Sequence, residues 1–365
     1  MNTLRQLSGL LLALLVPFAP YCLAQGLVVG DVLQSPAAKV ANPQRGVFTA
    51  LALAGKRLVA VGERGLILLS DDNGEHWRQA SVPVSVGLTA VQFVDANVGW
   101  AVGHGGVVLG TGDGGESWRL QLDGLRAAQL ELQAAQSALS TQAHDEAAQV
   151  RIQTAERLLA EGPDKPLLAL AASDTKHVLV VGAYGLAMRS DDGGASWYSA
   201  MGQIDNPMGL HLYAVAHQGN QGNALVLAGE QGYLARALDG EHFEQMSSPY
   251  AGTLFTLASR GDGALLIGGL KGHAFVLPPG AERAEVLPTL TPVSFSDASV
   301  LNDGRVLLAN QAGGLFASAP SGFTPVSESL RKPVSGIVQA ADGSLVAAGF
   351  SGLSRLPQPI VSASE

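Results

Sequence analysis

The chain has 365 residues, 47% of them hydrophobic, 15% charged and 5% aromatic, with 45 glycines and a formal net charge of -9. That apolar fraction excludes an intrinsically disordered chain, and an acidic balance without any cluster of Lys or Arg excludes a binder of nucleic-acid phosphates. Past the first 24 residues, no apolar run reaches the ~18 residues that a membrane-spanning helix needs.

At the N-terminus, Arg5 precedes an apolar stretch over residues 10–23, and Cys22 and Ala24 place small residues at the -3 and -1 positions of a cleavage site. The expectation is a signal peptide over 1–24, cleaved after Ala24, and a periplasmic or secreted product spanning 25–365. Cleavage removes Cys22, the single cysteine, so core burial alone must hold the fold, without disulfides or thiolate metal sites. Residues 27–33, Leu-Val-Val-Gly-Asp-Val-Leu, read as a strand with no repeat of its own.

From residue 59 onward one phrase recurs seven times: an aliphatic run, Gly-x-x-Gly, and a second aliphatic run. The copies begin at Gly62, Gly103, Gly182, Gly229, Gly269, Asn310 and Gly349, at intervals of 41, 79, 47, 40, 41 and 39 residues. A period near 40 with several short strands per unit predicts an all-β, seven-bladed β-propeller. Asn310 replaces the first glycine in one copy, and Asn tolerates left-handed backbone better than other non-glycine residues. The last blade lacks a fourth strand of its own, so residues 27–33 are expected to pair there and fasten the ring.

Eight residues past the turn, three early copies carry Ser/Thr-x-Asp-x-Gly-x-x-Trp, with Asp72, Gly74 and Trp77, then Asp113, Gly115 and Trp118, then Asp192, Gly194 and Trp197. Asp accepts backbone N–H groups across a tight turn, Gly supplies an unusual dihedral, and Trp packs back on the sheet, so a structural role is expected for all nine. A shortened copy surrounds Asp239 and Phe243.

The 79-residue interval contains a different material over 123–164. Residues 125–161 contain neither Gly nor Pro, and Leu125, Ala128, Leu132, Ala135 and Leu139 mark one helical stripe, Ala147, Val150, Thr154 and Leu158 a second. One straight helix of that length could not return the chain to its blade. The expectation is an α-helical hairpin inserted after blade two, turning near 140–145, its stripes packing on each other or offering a face to a partner.

The topology puts the insertion on the same face as the Gly-x-x-Gly turns, which makes that face the natural binding surface. Its candidates are Glu63, Arg64, His104, Tyr184, Glu230, Gln231, Lys271 and Phe350, a mixed charged, polar and aromatic set that suits a polypeptide. No catalytic constellation emerges. The Gly-x-Gly-x-x-Gly match at 110–115 lies in a hairpin and opens no helix. His211 and His217 lack a third ligand, and residues 71–73 are out of register for a calcium loop. No metal or cofactor is expected.

The octapeptides resemble those of Asp-box, or BNR-repeat, propellers. Sialidase-like glycosidases share such boxes, and Arg45, Arg64, Arg236, Tyr184, Tyr213 and Glu230 would have to converge to make one here. Ala60-Val61-Gly62-Glu63-Arg64-Gly65, followed by Ser70-Asp71-Asp72-Asn73-Gly74-Glu75-His76-Trp77, is closer to exported propellers related to the photosystem II stability and assembly factor. That resemblance implies a non-catalytic scaffold, here a periplasmic accessory that binds a membrane or exported protein. An exporter of the resistance-nodulation-division type is one client class, and a glycan-binding or glycosidase propeller is the alternative.

Overall fold

The computed structural model describes residues 31–142, 144–219, 224–288, 291–319, 322–326 and 329–357. The predicted signal peptide therefore lies outside the described residues. Among those described, the strands form seven antiparallel sheets, each with strands in chain order. The first sheet is β1 (Phe48–Ala54), β2 (Arg57–Gly62), β3 (Ile67–Ser70) and β4 (Arg78–Gln79), and the second is β5 (Leu88–Phe93), β6 (Gly99–Gly103), β7 (Val108–Thr111) and β8 (Arg119–Leu122). Two helices follow, α1 (Gly124–Thr141) and α2 (Glu146–Glu161). The third sheet is β9 (Leu167–Ala172), β10 (Val178–Gly182), β11 (Ala187–Ser190) and β12 (Tyr198–Ser199); the fourth is β13 (Leu212–His217), β14 (Leu225–Gly229), β15 (Leu234–Ala237) and β16 (Glu244–Gln245). The fifth is β17 (Leu254–Ser259), β18 (Leu265–Gly269), β19 (Ala274–Leu277) and β20 (Glu285–Leu287), and the sixth is β21 (Phe295–Val300), β22 (Val306–Asn310), β23 (Leu315–Ala319) and β24 (Gly322–Pro325). The seventh has three strands, β25 (Gly336–Gln339), β26 (Leu345–Gly349) and β27 (Gly352–Leu356). No helix among the described residues is long and apolar enough to cross a membrane.

Each second strand is sandwiched between neighbouring sheets, which explains the unbroken aliphatic runs of the repeats: β6, β10, β14, β18, β22 and β26 are buried at every residue. The outer strands are short and more polar, which blunts an otherwise open edge. Every pair of successive sheets shares an apolar cluster. Val61 and Leu69 meet Val91 and Leu109 between the first two sheets, and Leu58 meets Val338, Ala340 and Val346 between the seventh and the first.

Steric limits account for the Gly-x-x-Gly turns. A Cβ on Gly62 would stand 2.0 Å from the Val47 carbonyl leading into its own sheet, and one on Gly232 would stand 1.7 Å from the Tyr250 carbonyl leading into the next. The first glycine is therefore a close-approach position, with extended backbone (Gly62 φ -164°), and this corrects the reading of Asn310. Asn310 has no left-handed backbone. Its Oδ1 instead accepts the N–H groups of Ala312 (3.0 Å) and Gly314 (2.7 Å), tying the turn from within.

Only part of the strand expected at 27–33 is described. Residues 27–30 lie outside the described set, and Asp31 and the residues after it form a turn, with Asp31 Oδ1 accepting the Leu33 N–H at 3.0 Å. The chain then runs beside the link between the first two sheets, with Ser85 N donating to Val32 O (2.9 Å) and Ala37 N to Val82 O (3.0 Å). Leu33 and Ala37 favour this course because they cover the valine-rich cluster of Val82, Val84 and Val86. The seventh sheet meets the first directly: a Cβ on Gly336 would lie 3.1 Å from Ala50 Cα, and Arg355 Nε donates to Asn73 O at 3.0 Å.

Both helices are capped by Asp, with Asp123 accepting from Arg126 N (2.8 Å) and Asp145 from Ala148 N (3.0 Å). Their buried face is Ala127, Ala128, Glu131 and Ala135 on α1 and Ala148, Ala155 and Leu158 on α2. The sequence stripes catch this face in part: Ala128, Ala135 and Leu158 are buried, whereas Leu125, Ala147 and Val150 are exposed. A buried charge explains the difference. Glu131 is fully buried and takes a two-pronged ion pair from Arg151 (2.7 and 2.9 Å) and a hydrogen bond from Ser199 Oγ. The hairpin thus packs on itself and on the edge strand β12, and an apolar helical period alone could not register the acid that sets its face.

Candidate functional site at the channel mouth

The three complete octapeptides are turn hardware. In the first, Asp72 Oδ1 accepts from His76 N (2.9 Å) and Ser70 Oγ (2.8 Å), Ser70 Oγ accepts from Gly74 N (2.8 Å), and Trp77 Nε1 donates to Gly74 O (3.1 Å). Asp113 and Trp118 repeat the pattern. Asp192 does too, and its bonds to Ser196 and Ser190 pull its carboxyl down to about 2, whereas the buried Trp197 Nε1 lacks a partner. Asp72, Glu75 and His76 bring ligand atoms within 4.8 Å of one another, but all are exposed, and Asp72 Oδ2 is engaged by His76 Nδ1 at 2.7 Å.

At the opposite ends of the strands lie the turns between second and third strands. Arg64, Tyr184, Gln231 and Lys271 occupy the same position in four turns, all with left-handed φ between 54° and 58° and all exposed. His104 and Phe350 are also exposed, Phe350 by 67%. Glu63 is exposed, while Glu230 is half-buried and accepts the His211 N–H at 3.0 Å.

Two cavities run down the axis, of about 500 and 610 Å³, and the first strands or lead-in residues of all seven sheets line the first. They share one ring of residues: Thr49, Thr89, Leu168, Tyr213, Phe255, Ser296 and Ser335. Six of these, all but Ser335, are the extra residue of a bulge near the start of their strand. A bulge re-aims its side chain, and here it aims each one at the axis.

The ring has two halves. Thr49, Thr89 and Ser296 each donate a hydroxyl hydrogen bond of 2.6 Å to a carbonyl of the next sheet, at Leu88, Leu167 and Val334 respectively. Leu168, Tyr213 and Phe255 carry no hydroxyl at Cβ and cannot make this clasp. In its place an aromatic ladder descends from the rim: Tyr184 to His211 at 4.9 Å between ring centroids, His211 to Tyr213 at 6.2 Å, and Tyr213 to Phe255 at 5.3 Å and 70°. Lys165, paired with Glu161 at the root of α2 (2.8 Å), stands 5.4 Å over the Tyr184 ring. Burial, with Glu230 nearby, pushes the Tyr213 phenol above its ordinary value, so it is neutral. Phe350 and Gln311 line the wider cavity.

Sequence reasoning found the rim but missed the ring. His211 and Tyr213 entered only as candidate ligand or catalytic residues, and Leu168, Phe255 and Asp297 did not enter at all. A signal existed: each ring residue lies 13 to 16 residues ahead of the first residue of its Gly-x-x-Gly turn. The convergence needed for a glycosidase is not seen at the cavities. Among the described residues neither is lined by an arginine, and Arg236 Nη1 donates to Ala281 O at 2.6 Å.

This architecture is a β-propeller. Among solved structures the chain is similar to YCF48 bound to a D1 peptide (TM-score 0.61, 18% identity, 88% of this chain and 99% of that one). It is also similar to YCF48 from Cyanidioschyzon merolae (TM-score 0.60, 15% identity, 90% and 100%) and to the WD40 β-propeller domain of Doa1 (TM-score 0.58, 11% identity, 90% and 97%). At these identities the likeness is one of fold. No family model matches the chain, and no curated protein matches it.

Proposed function

We propose that the protein is an exported accessory factor whose seven sheets are the blades of one closed propeller, with the helical hairpin inserted after the second. In this reading the face bearing the Gly-x-x-Gly turns binds a polypeptide segment of a membrane or exported protein, and there is no catalytic step. The carrying observation is the channel mouth, where an aromatic ladder, a cavity of about 610 Å³ and the 67% exposed Phe350 lie on one face. Exposed aromatic anchors beside a concave site are the chemistry of protein recognition. Tyr184 (41% exposed) and Met208 (72%) extend the apolar surface around the rim. YCF48 bound to a D1 peptide offers a precedent for a peptide on this fold. A client in an export system suits the predicted signal peptide.

The test is crosslinked capture from intact cell envelope with the unaltered chain and a triple variant, Arg64→Glu, Lys271→Glu and Phe350→Ser. All three side chains are exposed, so the variant is expected to unfold within about 2 °C of the parent while losing most of its captured partner. Equal capture by the variant would contradict the reading.

A further inference from the structure

Below the ring, mostly small residues line the cavity. Counting two residues past the leading buried residue of the first strand in sheets one to six gives Ala50, Ala90, Ala169, Ala214, Thr256 and Asp297. Among the described residues, Asp297 is the only charged side chain of this set. Its Oδ2 accepts the Ile337 N–H of β25 at 2.7 Å. Of the strands packed against β21, β17 (LFTLAS), β18 (LLIGG), β22 (VLLAN) and β25 (GIVQ) contain no ionisable residue, and Lys271, on the turn that also meets β21, is exposed at the mouth. The other titratable groups lining the cavity are Tyr213 at the ring and His217, near the far end of its strand, which burial pushes toward the neutral form. Glu230, beside Tyr213, adds a second carboxylate at the mouth.

A carboxylate lining the axial cavity with no cation beside it is a costly arrangement, since removal from water disfavours its charged form. A bound cation would relieve that cost. The route to it passes aromatic faces, which attract cations and stack on aliphatic stems. Resting on the peptide-binding reading above, we infer that the channel receives a basic side chain, lysine or arginine, from the bound polypeptide, with Tyr213 and Phe255 flanking its stem and Asp297 as its counter-ion. Burial holds the Asp297 carboxyl up to about 7 in the free protein. The sign follows: above that value the site is anionic and ready for a cation, and below it the site is neutral. Affinity for a basic segment should then fall roughly tenfold from pH 8 to pH 6, the change in the ionised fraction of one such group.

The experiment selects a displayed library of random heptapeptides against the full chain at pH 8 and pH 6, in parallel with Asp297→Asn, an isosteric change whose folding is checked by thermal unfolding. The expected result is enrichment of peptides with a basic residue beside aliphatic or aromatic ones at pH 8, about tenfold weaker binding of those peptides at pH 6, and loss of both effects in the variant. Binders without a basic preference, equal at both pH values, would overturn the cation site and leave the peptide-binding reading standing. Recovery of no binder at either pH would overturn both. The comparison of the unaltered chain at two pH values decides the matter even if Asp297→Asn folds poorly.

Discussion

Single residues explain why this fold tolerates so little variation at its turns and so much around its axis. The turn glycines sit under carbonyls, 2.0 Å from where a Cβ would be at Gly62 and 1.7 Å at Gly232, so the motif repeats in the sequence and is easily found there. The ring residues obey a looser rule, because a bulge needs only a side chain that suits the axis. Thr, Leu, Tyr, Phe and Ser all serve, and no residue type betrays the position. Where the side chain is Thr, a hydroxyl stitches adjacent sheets. Thr89→Val keeps the shape and removes the 2.6 Å bond to the Leu167 carbonyl, so urea unfolding should show a loss of about 1 kcal/mol. An unchanged midpoint would mean that the clasp contributes nothing.

At the scale of elements, legibility followed the strength of each periodic signal. All seven phrases fall at the junction of second and third strands, and the helices end within a residue or two of where the Gly- and Pro-free stretch predicted. The face of the hairpin was legible only in Ala128, Ala135 and Leu158, because a buried Glu131 occupies what a hydrophobic pattern would leave blank. Of the strand expected at 27–33, the described residues 31–33 form a turn instead. Leu33 does mark burial, packing on the valine cluster between the first two sheets, whereas Val32 is 42% exposed. The Glu131 pair carries its own prediction. Glu131→Ala would strand a partly buried guanidinium and undo the anchor to Ser199, at a cost of about 3 kcal/mol. Limited proteolysis at 142–145 should accelerate while the strands stay protected; unchanged cleavage would show that the hairpin is held by its alanine packing alone.

For the whole molecule, the two ends of the strands divide the work. One end carries hydrogen-bonded turns built on Asp72, Asp113, Asp192 and Asp239, whose carboxylates are saturated by local N–H and hydroxyl groups. The other collects the exposed turn residues, the aromatic ladder and the open end of an axial cavity. No single residue announces this division. It follows from antiparallel connection, which sends every second-to-third strand turn to one face, and from bulges that turn one residue of nearly every first strand inward.

The most direct test of the peptide-binding claim asks which face meets a partner in the cell. A photoreactive phenylalanine analogue would be placed at Phe350 and, in a second protein, at Leu238, which is 72% exposed in the turn around Asp239 on the opposite side. After irradiation of intact cells, a discrete adduct with one membrane or exported protein from position 350, and none from position 238, is the predicted outcome. An adduct from position 238 with none from position 350 would contradict it and move the working surface to the other face.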